Sequence, residues 1–368
     1  MANPAACSCC LCPAEKNASI LEQKQLDRTW PAAALARTKS CAERQFSFLR
    51  YLYSVIQEVS FLKFGGNYPW PRKEFCMQPP LRFRFNDGTD VRRLGYGAMR
   101  LTGQPGNFGP YAAWNEGKKV LQRALELGIN FIDTARAYGP GWNERLIAEA
   151  LYPYPEGLFI ATKGGVVKKS ATERCLDGSL DGLRRDCEES LKNLRVDCID
   201  LYQLHWVDPD VPLTESVMGL ARLQQQGKIR LIGLSNITVE QLEEARSITQ
   251  IASVQNRYSV GERHGEPMVV YCADEGVAFV PYGPLGADPM KHGAPLASAE
   301  GTLADIGKHL GATPTQVALS WLLHRAPNIL PIPGTTSIAH LEENVAAAKL
   351  NLTKNQLQQL ESVTGGAN

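Results

Sequence analysis

The sequence predicts a (β/α)₈ TIM barrel of the α/β class, and three observations lead to it. Eight short apolar runs recur after residue 92, and a pattern typical of a helix follows each run. A hairpin pattern precedes the first run. Each run ends in a polar side chain or a glycine. This alternation is typical of a barrel of parallel strands surrounded by helices.

Composition narrows the classes of partner. The 368 residues contain 39 Lys and Arg against 38 Asp and Glu, so no net charge favours nucleic acid or an anionic membrane. No apolar run approaches the ~18 residues of a membrane span. Four of the ten cysteines are scattered through predicted helices and strands, as reduced thiols usually are. We therefore predict a cytoplasmic protein with no membrane span.

The first 76 residues differ from the rest, because they show no strand and helix alternation. One amphipathic stretch, 44–63, has an apolar face at helical spacing. The CSCCLC cluster lacks a second pair of ligands, so a cysteine-containing tail is preferred to a metal site. We predict that 1–76 form an atypical extension, disordered or loosely docked, and that 77–368 form the barrel.

The elements follow in order. A β-hairpin is predicted over 81–94, turning at Asp87 and Gly88, and it would plug the barrel floor. The eight strands are predicted at 93–99, 129–133, 158–163, 198–205, 229–236, 252–259, 277–286 and 328–334.

Helices are predicted between and after these strands, and their start signals locate several of them. Three threonines each precede a glutamine by three residues, which is the pattern of a capping box: Thr238, Thr313 and Thr353. Asn143 is predicted as an N-cap. The helix after Thr313 and the one after Thr353 are additions at the carboxyl end of the chain. The remaining helices are predicted at 116–128, 144–151, 180–194, 214–227, 268–276, 302–311 and 338–349.

Four reactive side chains follow three of the predicted strands: Asp133 and Tyr138, then Lys163, then His205. The carboxyl ends of parallel strands meet at one rim, so these groups are expected to form one site. Tyrosine has a reference pKa of about 10, and we expect the ammonium of Lys163 to lower it. A neutral His205 would orient a substrate oxygen.

This set suits carbonyl reduction, with Tyr138 protonating the oxygen while a bound cofactor delivers hydride. The other strand ends predict the cofactor site. Ser235, Asn236 and Gln255 could hold a nicotinamide amide, and Tyr282 could stack on its ring. The segment 335–337 precedes a helix whose amino end can hold a phosphate. The run 95–100 lacks the third glycine of a dinucleotide fingerprint, so a Rossmann dehydrogenase is disfavoured.

From about residue 80 the sequence resembles the aldo-keto reductase superfamily, through the segments FIDTARAYG, ATKGG, DLYQLHW, GKIRLIGLSN, PYGPLG and IPGTTSIAHLEEN. Its overall sequence pattern is similar to that of the bacterial pyridoxal-reductase-like branch. The resemblance implies a catalytic tetrad of Asp133, Tyr138, Lys163 and His205. It also implies that NADP(H) is bound by residues from several strand ends: Gly97, Ala98, Met99, Ser235, Asn236, Gln255, Tyr282, Leu285, Gly286, Thr335, Thr336, Ser337, His340, Glu343 and Asn344.

Two positions depart from the pattern of many members. Gly334 and His340 stand where those members carry Lys and Arg on the adenosine 2′-phosphate, so NAD(H) is possible beside the favoured NADP(H). The substrate, a small carbonyl compound, is expected to contact Arg100, Trp142, Trp206 and the loop 286–298. No metal site is predicted, because no His-x-His pair ends a strand.

Two alternatives to a reductase stay open at this stage. The first is a cofactor-binding sensor or regulatory subunit with little turnover, for which the extension 1–76 would be the interaction element. An intact tetrad argues against it. The second is a barrel isomerase or lyase without a nicotinamide cofactor. The residue pattern leaves the oligomeric state open.

Overall fold

The structure, a computed structural model, describes residues 79–286, Leu296 and residues 300–363. The predictions for 1–76, and for most of the loop 286–298, lie outside the described residues. No helix of the described part is both long and apolar enough to cross a membrane.

Eleven strands lie within the described residues. In chain order they are β1 (Arg82–Arg84), β2 (Asp90–Arg92), β3 (Tyr96–Gly97), β4 (Phe131–Asp133), β5 (Phe159–Gly164), β6 (Val166–Lys168), β7 (Arg174–Leu176), β8 (Ile199–Leu204), β9 (Ile229–Ser235), β10 (Ser253–Gln255) and β11 (Ala278–Phe279). Seven of them form a curved parallel sheet, in the order β11-β10-β9-β8-β5-β4-β3. Two antiparallel hairpins, β1–β2 and β6–β7, lie outside this sheet.

The eighth predicted strand closes the barrel, although it is reduced to a bridge. Ile329 forms an isolated parallel bridge with Phe279 on β11. The carbonyl of Pro331 accepts a hydrogen bond from Gly95 N at 2.9 Å, which joins this segment to the start of β3. Pro331 and Pro333 have no N–H to donate, so a full ladder cannot form here. The predicted (β/α)₈ barrel is confirmed, with a shorter last strand.

The predicted hairpin plug is also present. Phe83 of β1 pairs with Val91 of β2, and the turn at Gly88 has a φ of +87°. Phe85 is buried and its ring stacks on Phe159 at 5.0 Å between centroids. Phe85 and Val91 belong to an apolar cluster whose other members come from the strands of the sheet, residues next to them and the eighth segment, so the hairpin covers the amino ends of the strands.

Helices surround the sheet and bury their apolar faces in a second, larger cluster. The capping boxes predicted at Thr238, Thr313 and Thr353 are all formed. In chain order the helices are α1 (Trp114–Glu126), α2 (Trp142–Leu151), α3 (Leu180–Leu194), α4 (Leu213–Gln225), α5 (Val239–Arg246), α6 (Glu266–Asp274), α7 (Thr302–Leu310), α8 (Pro314–Arg325), α9 (Ile338–Ala346) and α10 (Lys354–Glu361).

The predicted N-cap at Asn143 is wrong. The N-cap residue of α2 is Gly141, whose φ of +76° lets the chain turn into the helix two residues before Asn143. The buried Asn143 amide instead donates to the carbonyls of Ala98 at 2.9 Å and Leu101 at 2.8 Å. This side chain therefore ties α2 to the loop after β3.

The hairpin β6–β7 is absent from the sequence-based prediction. Its strands are three residues each and pair Lys168 with Arg174. It directly follows β5, which ends at Gly164, so it extends from the rim that carries Lys163.

Candidate active site

The four reactive side chains predicted to converge do lie at one rim. Lys163 is near the end of β5, and His205 directly follows β8. Asp133 ends β4 and pairs in register with Ala161, two residues before Lys163. Tyr138 reaches the same rim from the loop between β4 and α2. The parallel register brings these groups together.

Lys163 and Asp133 form a buried ion pair. Lys163 Nζ lies 2.6 Å from Asp133 Oδ1 and donates at 2.8 Å to the carbonyl of Thr134. The two side chains are 0% and 3% exposed. Asp133 Oδ2 accepts from Gln255 Nε2 at 2.8 Å and from Gln203 Nε2 at 3.4 Å. A buried charge is costly unless it is paired and hydrogen-bonded, and both conditions are met.

Tyr138 lies against this pair and against His205. Its ring centroid is 5.3 Å from Lys163 Nζ and 5.8 Å from the His205 ring, with the two ring planes at 80°. Burial raises the pKa of Tyr138 above its usual value, and the charge of Asp133 raises it further. The expectation of a lowered pKa is wrong here, because burial and the charge of Asp133 dominate. The phenol therefore stays protonated.

His205 is held in its neutral form. Burial lowers the pKa of His205 well below its usual value, and the charges of Lys163, Arg174 and Lys168 lower it further. Its buried Nδ1 has no hydrogen-bond partner among the described residues. The neutral histidine of the sequence-based prediction agrees with this environment. Burial also lowers the pKa of Lys163, against the opposing effect of Asp133.

The loop that presents Tyr138 depends on a glycine. Gly139 has a φ of +72° and donates from its backbone N to the carbonyl of Asn107 at 3.1 Å. A Cβ at this position would lie 2.6 Å from the carbonyl oxygen of Gly109. A side chain would thus separate the Tyr138 loop from the loop after β3, so glycine keeps the phenol in place.

A cavity of about 1340 Å³ opens beside these groups. Drug-sized ligands occupy pockets of about 300–1,000 Å³, so this volume can hold a dinucleotide and a small substrate together. Most of the residues predicted for the site line the cavity: Gly97, Met99, Arg100, Asp133, Tyr138, His205, Trp206, Ser235, Asn236, Gln255, Tyr282, Leu285, Thr335, Thr336, His340, Glu343 and Asn344.

Five predicted residues are outside this lining. Lys163 lies behind Asp133, Ala98 is buried, and Gly286 borders a segment beyond the described residues. Ser337 Oγ caps α9 by accepting from His340 N at 3.4 Å. Trp142 is 38% exposed and packs edge-on against Trp114 on the outer surface, so the substrate contact predicted for it does not agree with its position.

The amide and hydroxyl groups predicted to hold a nicotinamide are joined to one another. Ser235 Oγ donates to the carbonyl of Gln255 at 2.8 Å. Asn236, with a φ of +59°, donates from Nδ2 to the carbonyl of His205 at 3.1 Å. Tyr282 OH donates to Asn236 Oδ1 at 2.7 Å. This chain of bonds fixes the ends of β9 and β10 relative to His205.

At the other side of the cavity, the structure explains one departure from the family pattern. A Cβ at Gly334 would lie 2.6 Å from the carbonyl oxygen of Gly97, because the eighth segment passes close to β3. A lysine is therefore excluded at 334 by the backbone. Glu343, within α9, accepts from Thr313 Oγ1 at 2.5 Å, so the start of α8 is joined to α9.

Sequence reasoning missed a buried polar network beneath the rim. Glu144 is fully buried and accepts from Thr162 Oγ1 at 2.7 Å and Asn193 Nδ2 at 3.0 Å. Burial raises the pKa of Glu144, against the effect of these hydrogen bonds. Thr162 is adjacent to Lys163 in β5, so the network supports the lysine from behind. The sequence did carry a signal for this network, because Glu144 is an acidic residue within the apolar pattern of α2.

Gln203 was also missed, although its position carried a signal. It precedes His205 by two residues in the chain, and side chains two apart on a strand share a face. Its amide reaches Asp133, and so it helps to hold the carboxylate.

The (β/α)₈ barrel, with a carboxylate, a phenol, an ammonium and an imidazole at one rim beside a large cavity, defines a barrel oxidoreductase. The aldo/keto reductase family model matches residues 93–364, and the chain belongs to that family. It is accordingly an NAD(P)H-dependent oxidoreductase that acts on small carbonyl substrates.

Two relatives and one solved structure illustrate the similarity. The chain is 44% identical over 287 residues to pyridoxine 4-dehydrogenase of Escherichia coli K12. The matched region covers 76% of this chain and 98% of that protein. It is 41% identical over 278 residues to an uncharacterized oxidoreductase of Schizosaccharomyces pombe, covering 74% and 86%. An aldo/keto reductase from Klebsiella pneumoniae, solved with NADP and acetate, gives a TM-score of 0.66 at 27% identity, covering 77% and 95%. The regulatory-subunit alternative finds no support in these relatives.

Proposed function

We propose that the protein reduces aldehydes with NADPH, with Asp133, Tyr138, Lys163 and His205 as its catalytic residues. The observation that carries this proposal is the contact of Tyr138 with both Lys163 and His205 at the wall of a cavity large enough for cofactor and substrate. No residue of the tetrad can supply a hydride, so the nicotinamide is required for the reduction.

The residues present fit a nicotinamide dinucleotide. Tyr282 offers a ring to stack against, and Asn236 and Gln255 offer amides at the neighbouring strand ends. Hydroxyl groups of Thr335 and Thr336, with the amino end of α9, suit a phosphate. We favour NADPH over NADH because the same hydroxyl groups and helix end can hold a 2′-phosphate, and because the solved Klebsiella pneumoniae relative carries NADP.

Each protein group has a distinct task in the proposed reaction. When bound, the cofactor supplies the hydride that reaches the carbonyl carbon. Tyr138 donates its proton to the carbonyl oxygen. The neutral ring of His205 holds that oxygen in position. Lys163 stabilises the phenolate form of Tyr138 that results from the proton transfer. Asp133 keeps Lys163 charged and fixed at 2.6 Å.

We propose pyridoxal, whose reduction gives pyridoxine, as the first substrate to test. The support is the relative named pyridoxine 4-dehydrogenase, which this chain matches over 98% of its length. Trp206 and Tyr111 in the cavity wall suit a flat ring.

Tyr138→Phe tests the proposed chemistry. We expect NADPH oxidation with pyridoxal or benzaldehyde to fall about 10³-fold, because removal of a general acid typically costs 10²–10⁴-fold. NADPH binding, followed by fluorescence, should change little. Tyr152→Phe is the matched control, since Tyr152 is 52% exposed and packs on the outer surface against Tyr154 and Arg195. A Tyr138→Phe variant as active as the control would exclude the proposal.

We also propose a cytoplasmic location, on the basis of cysteine usage. The four described cysteines are free thiols, and Cys187 and Cys272 are buried in the core. Burial raises the thiol pKa of both to about 12, so they are unreactive packing residues. Fractionation of the source cells with an antibody against the chain would test this location.

A further inference from the structure

The hairpin β6–β7 carries two cations at one paired position. Lys168 on β6 and Arg174 on β7 are directly opposite in the antiparallel register, so their side chains share a face. Both line the cavity. Like charges directly opposite each other destabilise a strand pair, and a hairpin of three-residue strands has little stability to spare.

Neither cation is neutralised within the described part of the chain. Arg174 is exposed, and its guanidinium lies 5.4 Å from the ring centroid of Trp206. Lys168 Nζ donates to the carbonyls of Gly106 and Asn107, which are neutral acceptors. The one carboxylate of the hairpin turn, Glu173, pairs with Lys169 at 3.5 Å. Burial lowers the pKa of Lys168, and the charge of Arg174 lowers it further, as expected of two cations that repel.

The position of this pair assigns it to the substrate side of the cavity. The hairpin follows β5, Trp206 comes two residues after β8, and Asn107 belongs to the loop after β3. Tyr138 and His205 are presented from this same sector. Most of the residues proposed for the cofactor follow β9, β10, β11 and the eighth segment, on the other side of the barrel, and the rest lie at the end of β3 next to that segment. An anion bound by the pair would therefore belong to the substrate.

We propose that Lys168 and Arg174, held over Trp206 and the loop after β3, form an anion-binding subsite that selects aldehydes carrying a carboxylate or phosphate group. The anion would offset the repulsion between the two cations, and the aromatic ring would lie along Trp206. This inference rests on the proposed function, since it names the substrate class of the same site.

The test compares matched aldehydes. The ratio of kcat/KM for 4-carboxybenzaldehyde to that for methyl 4-formylbenzoate should favour the anionic compound in the parent protein. Arg174→Gln should lower this ratio about tenfold, in keeping with the loss of one charge-assisted hydrogen bond. Arg174→Lys should restore part of it. Lys169→Gln, on the same hairpin but paired outward with Glu173, is the control and should keep the ratio. The same comparison of pyridoxal 5′-phosphate with pyridoxal separates phosphate from carboxylate selectivity.

Direct binding separates this inference from the proposed function. Calorimetry with 4-(hydroxymethyl)benzoate, the product of the anionic aldehyde, should show affinity that falls with added salt and falls about tenfold in Arg174→Gln. If neither aldehyde is reduced, the proposed function fails, and the calorimetry still decides on the subsite. Equal affinity in the parent and in Arg174→Gln, or an unchanged ratio, would overturn the subsite.

Discussion

Two buried cations, at opposite ends of the barrel, are stabilised in different ways. Lys163 at the carboxyl rim is paired with the carboxylate of Asp133 at 2.6 Å. Arg93 precedes β3 at the floor and is fully buried without an ion pair to a described carboxylate. Its guanidinium instead donates to four backbone carbonyls: Ile329, Pro80, Leu323 and Ala326.

The difference separates a reactive group from a structural one. Burial lowers the pKa of Arg93 to about 9, so the guanidinium stays charged at neutral pH and its carbonyl partners never titrate. It joins the start of β3 to the eighth segment and to α8, at the seam of the barrel. The partners of Lys163 are a carboxylate and, nearby, a phenol and an imidazole, all able to exchange protons. With the proposed function, the floor stabilises the fold and the rim carries out the chemistry, as in barrels generally.

Lys163→Met tests the rim with the largest expected effect. Without the ammonium, Tyr138 has no cation to stabilise its phenolate, so single-turnover hydride transfer should slow about 10³-fold. The variant also leaves Asp133 buried and unpaired, which should cost about 3–5 kcal/mol in the free energy of unfolding, measured in urea.

The double variant Asp133→Asn with Lys163→Met should recover most of that stability, because the unpaired charge is removed. Its activity should stay as low as that of Lys163→Met. Recovery of hydride transfer together with stability would show that the pair acts only on the fold.

Arg93→Met tests the floor. Removing the guanidinium leaves several buried carbonyls without donors, so we expect the free energy of unfolding to fall by roughly 3 kcal/mol. The rate of NADPH oxidation per folded molecule should stay within about twofold of the parent, because the rim is intact. A larger loss of activity at full folding would show that the seam and the site are coupled, and would weaken the comparison.

The sequence indicated the rim well because parallel strands end together. Asp133, Lys163 and His205 could be assigned to one site from strand position alone. The capping boxes at Thr238 and Thr313 were readable for a similar reason, since a local spacing defines them. A feature that depends only on residue spacing along one element can be predicted from the sequence pattern.

Features that depend on three-dimensional contacts were not readable. The hairpin β6–β7 has strands of three residues with little alternation, so it resembled a loop. The pKa of Tyr138 depends on the depth of its burial and on the distance to the charge of Asp133, and the sequence shows neither. The reason for Gly334 is the approach of Gly97 from the far end of the chain.

Substitutions at Gly334 and His340, near the proposed adenosine end of the cofactor, should change the kinetics less than substitution of Lys163. His340→Arg adds a permanent charge on an exposed turn of α9, so the KM for NADPH should fall about fivefold relative to that for NADH. Gly334→Lys adds the other missing cation, yet it should raise the KM for both cofactors, because its Cβ would meet the carbonyl of Gly97 at 2.6 Å. Initial rates with both nucleotides measure this. A gain in NADPH preference from Gly334→Lys would contradict the steric explanation.

The smallest predicted effect is that of pH on the rate of reduction, which depends on the titratable groups at the rim. Burial raises the pKa of Tyr138, so the phenol stays protonated as the pH rises, and it lowers the pKa of His205, so the imidazole stays neutral as the pH falls. We therefore expect kcat/KM for an uncharged aldehyde to vary by less than about twofold from pH 6 to 9. A change in kcat/KM near pH 7 that is absent in His205→Gln would show that the histidine titrates in this range.

The same shift at His205 has a signed effect on stability. The folded-state pKa of His205 lies below the unfolded value of about 6.5, so at lower pH the unfolded chain binds a proton that the folded chain does not. Stability should therefore be fully present above about pH 6.5 and should fall as the pH drops below it. Arg93 contributes nothing to this slope, because it is charged in both states across the range. Urea unfolding of the parent and of His205→Gln between pH 5 and 8 isolates the contribution, since the variant should lose part of the slope. An identical slope in both proteins would mean that the imidazole titrates in the folded state as it does in the unfolded chain, which would contradict the lowered pKa of His205.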